Sequence, residues 1–362
     1  MVLNANSLIV IKVGSSSLTG KGGELAPEKL KEIVRQICEV KKMGHRVVLV
    51  SSGAIAAGFR RLGFASRPTV TADKQASAAV GQGLLMEEYN RLFLAHGVSC
   101  GQLLLTRGDF ADKRRFQNAW GALRVLLERG AVPIINENDT VAIEELKIGD
   151  NDTLSAQVAA MVHADLLVLL TDIDGLYTAN PSKDPNARHI DLVEEIDESI
   201  LSLAAGAGSS VGTGGMQTKL KGATLATEAG VEVFICRASD ENCILRALTG
   251  DIRGTRFPAP AHGMKTRQQW LAFYAASRGN IYVDEGAAKA LMQKKKSLLP
   301  PGVVAAEGDF NAGDVVSVYL RGTHTYLGKG IVNYSREELL RLAVTPGTHE
   351  EAINRDNWIA HT

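Results

Sequence analysis

The sequence has no excess of charge of either sign. It contains 40 Lys and Arg against 40 Asp and Glu in 362 residues, so its formal net charge at pH 7 is zero. Such a chain has no overall field that would attract nucleic acid, an anionic membrane or an acidic partner. Any site for an anion must therefore be formed locally, by particular side chains and backbone groups.

Cysteine and long apolar segments are scarce as well. The four cysteines, which show neither C-x-x-C nor zinc-type spacing, are Cys38, Cys100, Cys236 and Cys243. We interpret them as reduced thiols, which are typical of cytoplasmic proteins. No window approaches the roughly 18 uncharged apolar residues that a membrane span requires. The apolar run Leu8–Val13 contains Lys12 and has no cleavage site, so it indicates a strand rather than a signal peptide. We therefore expect a cytoplasmic protein.

Several common catalytic fingerprints are also missing. The sequence contains no G-x-x-x-x-G-K-[ST] loop, no G-x-G-x-x-G loop and no H-E-x-x-H motif. It has neither the H-R-D nor the D-F-G signature. These absences argue against P-loop enzymes, zinc proteases and protein kinases.

What the sequence does contain is an alternation of short β-branched segments with segments of helical periodicity, up to about residue 257. This pattern is typical of a mainly parallel sheet covered by helices. The predicted strands are Leu8–Val13, Arg46–Val50, Gly101–Leu105, Val132–Asn136, Leu166–Thr171 and Glu232–Cys236. A helix is predicted around Leu30–Val40, where apolar residues recur at i, i+3 and i+4. Further helices are predicted at Ala72–Ala95, Arg114–Arg129, Thr153–His163, Met216–Ala229 and Glu241–Leu248.

The alternation ends at Gly254–Gly263, a segment of small residues that includes Pro258 and Pro260. Such a change in composition indicates a linker. We predict a large α/β domain over residues 1–257, a linker over 258–277 and a small β-rich domain over 278–362. The short strands predicted in the small domain are Asn280–Asp284, Gly302–Ala306, Val315–Tyr319 and Gly328–Asn333.

Three segments that follow predicted strands concentrate glycine, hydroxyl groups and charge. V-I-K-V-G-S-S-S-L places Lys12 beside the backbone N–H groups of Gly14–Ser17, and V-S-S-G-A-I-A-A-G places Ser51–Gly53 at a helix N-terminus. G-T-G-G-M-Q-T-K-L leads into a helix that carries Lys219 on its first turn. N–H groups in such turns favour anions. Taken singly, the segments also allow a structural interpretation, as an edge lysine, a capping serine and a flexible surface loop.

Two polar clusters accompany these segments. I-N-E-N-D, Ile135–Asp139, follows one strand, and G-D-N-D, Gly149–Asp152, begins the next helix. Short amide and carboxylate side chains suit a zwitterionic amino acid, although each cluster alone is more often a turn or a helix cap. L-L-V-L-L-T-D ends at Thr171 and Asp172 and could form a wall for a nucleotide. Because ligands of open α/β sheets bind beyond the carboxyl ends of strands, all these segments could share one crevice.

The order of these motifs resembles that of the glutamate 5-kinases over about Leu8 to Gly254. K-x-G and T-D-x-x-G-L-Y alone indicate only the wider amino-acid-kinase family, whereas S-S-G-A-I-A-A-G together with I-N-E-N-D and G-D-N-D is much narrower. The C-terminal segment is similar to a PUA domain, although Thr345–Thr362 matches that pattern loosely, which leaves its final strand open. The resemblance implies an amino-acid-kinase fold, a mainly parallel sheet sandwiched by helices, with a C-terminal PUA-like domain.

The resemblance also implies a reaction and roles for particular residues. The γ-phosphoryl group of ATP, accompanied by Mg²⁺, would be transferred to the γ-carboxylate of L-glutamate, giving L-glutamyl 5-phosphate in the first step of proline biosynthesis. Lys12 and Lys219 would contact the transferring group, and Asp152 would hold the two ammonium groups in position. The residues implied for glutamate are Ser52, Gly53, Asn136, Asp139 and Asn151. Those implied for ATP are Lys12, Thr171, Asp172, Thr213, Gly214, Gly215, Met216, Gln217, Thr218 and Lys219. No metal site made of protein ligands is expected.

The chemistry of the substrate agrees with this assignment. A γ-carboxylate with a pKa of about 4.3 is already an ionised nucleophile at pH 7, so the reaction requires no general base. What remains is the alignment of two anions and the neutralisation of spreading charge, which lysines, N–H groups and Mg²⁺ can provide. The resemblance further suggests a homo-oligomer, proline as a feedback inhibitor and hand-off of the product to a glutamyl phosphate reductase.

Two other functions are open at this point. A kinase of aspartate or acetylglutamate would keep the two lysines but would lack the second and fourth motifs in this form. An RNA-binding module is the alternative from another class, since PUA-like domains occur in RNA-modifying proteins. Residues 263–362 contain 12 Lys and Arg against 10 Asp and Glu, a difference of only +2. This balance argues against nucleic acid as a partner.

Overall fold

The strands β1 (Leu8–Val13) and β5 (Leu166–Thr171) are buried along their whole length at the centre of a seven-stranded sheet. The computed structural model describes residues 3–20, 22–142, 151–181, 183–205, 215–260, 271, 274–294, 296–345, 347 and 350–360. The order of the sheet is β3 (Cys100–Leu105), β4 (Val132–Glu137), β2 (Arg46–Val50), β1, β5, β8 (Glu232–Arg237) and β9 (Gly254–Phe257). Neighbouring strands are parallel except for β9, which pairs antiparallel with β8. The predicted parallel α/β fold is confirmed.

Helices cover both faces of this sheet. The helices up to residue 249 are, in chain order, α1 (Ser15–Leu18), α2 (Pro27–Lys42), α3 (Ala54–Gly58), α4 (Thr71–Leu94), α5 (Arg107–Ala111), α6 (Lys113–Glu128), α7 (Asn151–Val162), α8 (Glu198–Ala205), α9 (Met216–Glu228) and α10 (Cys243–Thr249), of which α5 belongs to the second compact unit described below. A 3₁₀ helix spans Phe59–Leu62, and β6 (Leu176–Tyr177) pairs with β7 (His189–Ile190) in a separate small ribbon. Within the described part of the chain, no helix is both long enough and apolar enough to cross a membrane.

Side chains along β1 alternate between the two faces of the sheet. Ile9, Ile11 and Val13 belong to the core that β1 shares with α2, α4 and α10. Because successive residues of a strand point to opposite faces, Lys12 lies on the other side, where α7 packs on β1. The strand thus supplies an apolar core on one face and a charged group on the other.

Helices α3 and α4 approach each other more closely than side chains would allow. A Cβ atom on Gly81 would lie 1.8 Å from the carbonyl oxygen of Ala54, and one on Gly58 would lie 1.9 Å from that of Ser77. Real Cβ atoms cannot reach such distances, so the crossing requires glycine on both helices. It fixes α3, and the S-S-G turn that begins it, against the long helix α4.

The chain forms two compact units, Met1–Thr106 with Gln117–Gly263, and Arg107–Phe116 with Met264–Thr362. The second unit contains a five-stranded sheet in the order β11 (Val303–Gly308), β10 (Gly279–Val283), β12 (Val315–Leu320), β13 (Tyr326–Val332) and β14 (Ile353–Ala360). Two helices, α11 (Glu285–Met292) and α12 (Arg336–Ala343), and the 3₁₀ helix Pro300–Gly302 accompany it. The ring of Tyr274 contacts the rings of Phe110 and Phe116 at centroid distances of 5.4 and 5.5 Å. The predicted β-rich C-terminal domain is confirmed.

The structure differs from the sequence-based expectations at a few elements. Gly254–Phe257 is an edge strand of the first sheet, not the beginning of irregular chain, because its backbone pairs with β8. The final strand that the sequence left open is present as β14, paired with β13. Helices α11 and α12 were not predicted, although Ser335 and Glu338 form a capping box that the sequence shows as S-x-x-E.

Candidate active site

Three charged side chains from distant parts of the chain meet inside the first unit. Nζ of Lys12 lies 2.5 Å from Oδ1 of Asp152, and Nζ of Lys219 lies 3.3 Å from Oδ2 of the same carboxylate. The side chains of all three residues are at most 8% exposed. Burial of one carboxylate between two ammonium groups leaves a net positive charge at this point, a suitable place for an anion.

A close contact between two helices positions this cluster. Asp152 stands in the first turn of α7, and a Cβ atom on Gly222 of α9 would lie only 3.0 Å from its carbonyl oxygen. Lys219 precedes Gly222 by about one helical turn, so its side chain lies near the start of α7 and reaches the Asp152 carboxylate. Oγ1 of Thr218 donates a hydrogen bond of 3.1 Å to Oδ2 of Asp152, which is a further contact between α9 and α7.

The cluster changes the protonation equilibria of its members. Burial alone would raise the pKa of Asp152, but the charges and hydrogen bonds of Lys12 and Lys219 hold that pKa below its ordinary value. Burial lowers the pKa of Lys219, and the nearby charge of Lys12 adds to this effect, while Asp152 opposes it. Without Asp152, two buried ammonium groups would repel each other with nothing between them.

A cavity of about 270 Å³ adjoins the beginning of α7. The five residues that the sequence implicated in glutamate binding all line it: Ser52, Gly53, Asn136, Asp139 and Asn151. They come from the carboxyl end of β4, from the turns that follow β2 and β4, and from the start of α7. The structure therefore brings together side chains that are up to 99 residues apart in the sequence.

Hydrogen bonds fix the amide of Asn151 in the wall of this cavity. Its Nδ2 lies 2.7 Å from Oγ of Ser52, 2.9 Å from the carbonyl oxygen of Ser51 and 3.1 Å from Oδ1 of Asn136. The hydroxyl of Ser51 points away and bonds the buried Tyr89 hydroxyl at 2.9 Å. Among the described residues, no acceptor is present for the Ser52 hydroxyl proton. Ser52 is thus held as an acceptor by Asn151 and can donate to a ligand.

Asp139 is an acidic residue of the cavity whose protonation equilibrium is strongly perturbed. Burial raises its pKa to about 6, although the positive charge of Arg67 acts in the opposite direction. No ion pair or hydrogen bond to the Asp139 carboxylate is present among the residues that the structure describes. A partly buried carboxylate without a partner is stabilised in its charged form when a ligand brings a positive group.

Thr171 and Asp172 line a different cavity, of about 910 Å³. Oγ1 of Thr171 donates to Oδ1 of Asp172 at 2.9 Å. Ser16 and Ser17 of α1 and the loop 238–242 share this cavity with them. The loop 238–242 could not be recognised from the sequence, because it has no motif of the kind that marks a phosphate site.

The third glycine-rich segment is only partly described. Gly215 is the N-cap residue of α9, Met216 is buried at its first position, and Gln217 is exposed. Thr218 and Lys219 contact Asp152, as described above. Thr213 and Gly214 lie outside the described residues, and so do Gly149 and the remainder of the segment 143–150.

The cavity of about 270 Å³ also contains residues that the sequence analysis missed. Arg67, Pro68, Thr69 and Lys74 line it, and they come from the segment that leads into α4. One signal was available: Lys74 ends the first turn of a predicted helix, where a cation is unfavourable to the helix dipole. A charged residue in a position that is unfavourable for the local structure often belongs to a functional site.

Comparison with known proteins assigns families to both parts of the chain. Residues 7–237 match the family described as the amino acid kinase family, and residues 279–354 match the PUA domain. A glutamate 5-kinase of Streptococcus sanguinis (strain SK36) is 57% identical over 354 residues, which cover 98% of this chain and 96% of that protein. A glutamate 5-kinase of Neisseria meningitidis serogroup A / serotype 4A (strain DSM 15465 / Z2491) is 56% identical over 357 residues, with the same coverage.

A solved structure shows a similar fold over part of the chain. The carbamate kinase from Giardia lamblia bound to AMP-PNP superposes with a TM-score of 0.52 and 20% sequence identity, covering 71% of this chain and 99% of that chain. At this level of identity the likeness concerns the fold alone.

Proposed function

We propose that phosphoryl transfer occurs beside the Lys12–Asp152–Lys219 cluster of this chain, which belongs to the glutamate 5-kinases. These enzymes use ATP to phosphorylate the γ-carboxylate of L-glutamate in the first step of proline biosynthesis. The observation that carries this proposal is the burial of two lysines on one carboxylate at the carboxyl ends of β1 and β5. That position is where open α/β sheets bind their ligands.

The chemistry of acyl phosphate formation fits such a cluster. The γ-carboxylate attacks the γ-phosphorus of ATP, the bond to the bridging oxygen breaks, and ADP leaves. No proton has to be removed, because the carboxylate is ionised at pH 7. Negative charge spreads over the equatorial oxygens of the transferring group, and Lys12 and Lys219 neutralise it there. Asp152 keeps both ammonium groups in place and is a positioning residue.

We assign glutamate to the cavity of about 270 Å³ that Asn151 borders. Asn151 directly precedes Asp152, so a carboxylate beside Asn151 is next to the two lysines. Asn151 donates to Ser52, which leaves the Ser52 hydroxyl to donate to a substrate carboxylate. Asp139 accepts the substrate ammonium group, and Gly53 and Asn136 complete the wall around the ligand.

We assign ATP to the cavity of about 910 Å³, whose volume lies within the roughly 300–1,000 Å³ usual for ligand pockets. Thr171 and Asp172 line it. The glycine-rich run Thr213–Lys219 would bind the phosphates, since α9 begins within it at Met216 and helix N-termini favour anions.

Magnesium is proposed as part of the substrate MgATP. Within the described residues, no group of three His, Cys, Asp or Glu side chains could hold a metal ion by itself, and Asp152 already has two lysines as partners. Mg²⁺ usually keeps several waters and binds mainly through substrate phosphates, so the ion would arrive with the nucleotide.

The remaining assignments rest on the family. We propose residues 1–257 as the catalytic domain, 258–277 as the linker and 278–362 as the PUA-like domain, supported by the start of β10 at Gly279 and by the PUA match over 279–354. A homo-oligomer, inhibition by proline and hand-off to a glutamyl phosphate reductase are proposed as well. Proline carries the same α-carboxylate and ammonium pair as glutamate, and an acyl phosphate is a reactive anhydride that benefits from rapid use. The free thiols of the described cysteines fit a cytoplasmic location.

Kinetics of Lys12→Ala and Lys219→Ala test the proposed site. Loss of a charge that contacts the transition state typically costs about 2.7–4 kcal/mol, so kcat should fall roughly 10²–10³-fold in each variant, with a smaller change in the KM for glutamate. Lys221→Ala is the matched control, because Lys221 is exposed on the same helix. A change in kcat of less than threefold in both active-site variants would contradict the proposal.

A further inference from the structure

Two cations border the glutamate cavity without a role in the assignments above. Arg67 lies between the 3₁₀ helix Phe59–Leu62 and α4, and Lys74 lies at the end of the first turn of α4. Both line the cavity of about 270 Å³. In the ranges that the structure describes, neither side chain forms an ion pair or a side-chain hydrogen bond. They are therefore unneutralised positive charges at the edge of a ligand site.

The cavity presents charges of both signs to glutamate. The substrate has two carboxylates and one ammonium group. Besides the two cations, the acidic residues Glu137 and Asp139 line the cavity. The cations thus face the carboxylates of the substrate, and the Asp139 carboxylate faces its ammonium group. Such complementarity selects a ligand by the sign of its charges.

The position of Asp139 decides which carboxylate the cations meet. The γ-carboxylate has to reach the lysine cluster, which places it at Ser52 and Asn151. The ammonium group and the α-carboxylate are bonded to the same carbon atom, so they bind side by side. Arg67 is close enough to Asp139 to influence its carboxyl group electrostatically. A cation beside the acceptor of the ammonium group is therefore beside the α-carboxylate.

We propose that Arg67, together with Lys74, binds the α-carboxylate of glutamate and makes the enzyme specific for substrates with a free α-amino acid head group. The planar guanidinium can hold a carboxylate with two parallel hydrogen bonds, which a lysine cannot do. The α-carboxylate takes no part in bond formation, so this contact contributes equally to the ground state and the transition state. This inference rests on the proposed function of the cavity as the glutamate site.

The test compares glutamate with isoglutamine, the analogue in which a carboxamide replaces the α-carboxylate while the γ-carboxylate is retained. For Arg67→Gln, the KM for glutamate should rise about 10- to 100-fold with kcat within threefold, because a hydrogen bond to a charged group is lost. The KM for isoglutamine should change less than threefold in the same variant. Lys74→Gln should show the same selectivity with a smaller effect, and Arg67→Lys should recover part of the loss.

Controls separate this proposal from the assignment of the catalytic cluster. Arg61→Gln removes a neighbouring exposed arginine that does not line the cavity, and it should leave both KM values unchanged. Lys12→Ala should lower kcat with both substrates, and a normal kcat there would overturn the catalytic assignment without affecting the Arg67 result. Unchanged KM for glutamate in the Arg67→Gln, Lys74→Gln double variant, or an equal rise in KM for both substrates, would overturn the proposal.

Discussion

The pKa of Asp139 gives a prediction that links burial directly to substrate affinity. Burial raises this pKa to about 6, and the ionised carboxylate is the form that can accept the glutamate ammonium group. The charged form is therefore lost as the pH falls through 6. With this pKa, about half of the free enzyme is ionised at pH 6 and about a tenth at pH 5. The KM for glutamate should accordingly double at pH 6 and rise about tenfold at pH 5, relative to pH 7.5.

The substitution Asp139→Asn keeps the shape of the side chain but removes its charge. It should raise the KM for glutamate about 10- to 100-fold at pH 7.5, since a hydrogen bond to a charged group contributes roughly 1.5–3 kcal/mol. It should also make that KM independent of pH between 5.5 and 7.5. The KM for ATP should hardly change in either experiment, because Asp139 does not line the larger cavity.

The same carboxylate should make the ligand-free protein less stable. Its folded pKa of about 6 lies above the value of about 3.9 in an unfolded chain, so the native state binds more protons between these limits. Stability therefore falls as the pH rises through this window, and Asp139→Asn should have a higher Tm than the wild-type protein at pH 7.5 without substrate. The difference should shrink below pH 6.

Initial rates over pH 5.0–7.5, with each substrate varied at saturation of the other, and thermal melts of both proteins complete the assay. The kcat/KM for glutamate reports the equilibria of the free enzyme, so its acidic limb should show an apparent pKa near 6. A flat profile for the wild-type protein would refute the reasoning. So would an identical acidic limb in Asp139→Asn, or a fall in ATP affinity without a fall in glutamate affinity.

Two further predictions concern the architecture. Gly81→Ala should lower the free energy of unfolding by about 1–3 kcal/mol, because its methyl group would meet the backbone of α3. Gly83→Ala is the control on the same helix: its added Cβ atom would have no atom within 4 Å, so this variant should be neutral or stabilising. Equal melting temperatures of the two variants would contradict the close contact between α3 and α4. Ending the chain after residue 260 should lower Tm, since Phe110 and Phe116 lose the Tyr274 ring, but should leave both KM values within threefold, because every proposed site residue precedes the cut. A folded truncation without activity would show that the C-terminal part contributes to the site.

The central strands could be predicted from the sequence because they are buried on both faces. Leu8–Val13, Arg46–Val50 and Leu166–Thr171 were predicted with the bounds that the structure shows, since a continuous apolar run of strand length has few other uses. Gly254–Phe257 was not recognised, because a four-residue edge strand shows little pattern and prolines follow it. The short helices of the second unit are amphipathic over only eight residues, too few for a clear period.

The residues of the site also differ in whether they could be predicted from the sequence. The acidic and basic residues of the cluster belong to motifs, and the relatives named glutamate 5-kinase confirm glutamate rather than aspartate or acetylglutamate as the substrate. Arg67 belongs to no motif and stands in an irregular segment, so only the fold brings it to the cavity. The raised pKa of Asp139 is equally invisible in the sequence, because it results from burial by residues that are distant along the chain.

The central position of β1 has a consequence for how the protein is made. Its partner on one side, β2, follows soon after it, but its partner on the other side, β5, pairs Leu166 with Ile9, 157 residues earlier. At roughly 5–20 residues per second, synthesis of the intervening chain lasts about 8–30 s. Throughout that interval the nascent chain exposes an apolar strand with one unpaired edge, a surface that associates readily with other chains. A polypeptide released by a premature stop before residue 166 should therefore aggregate rather than fold into a smaller sheet.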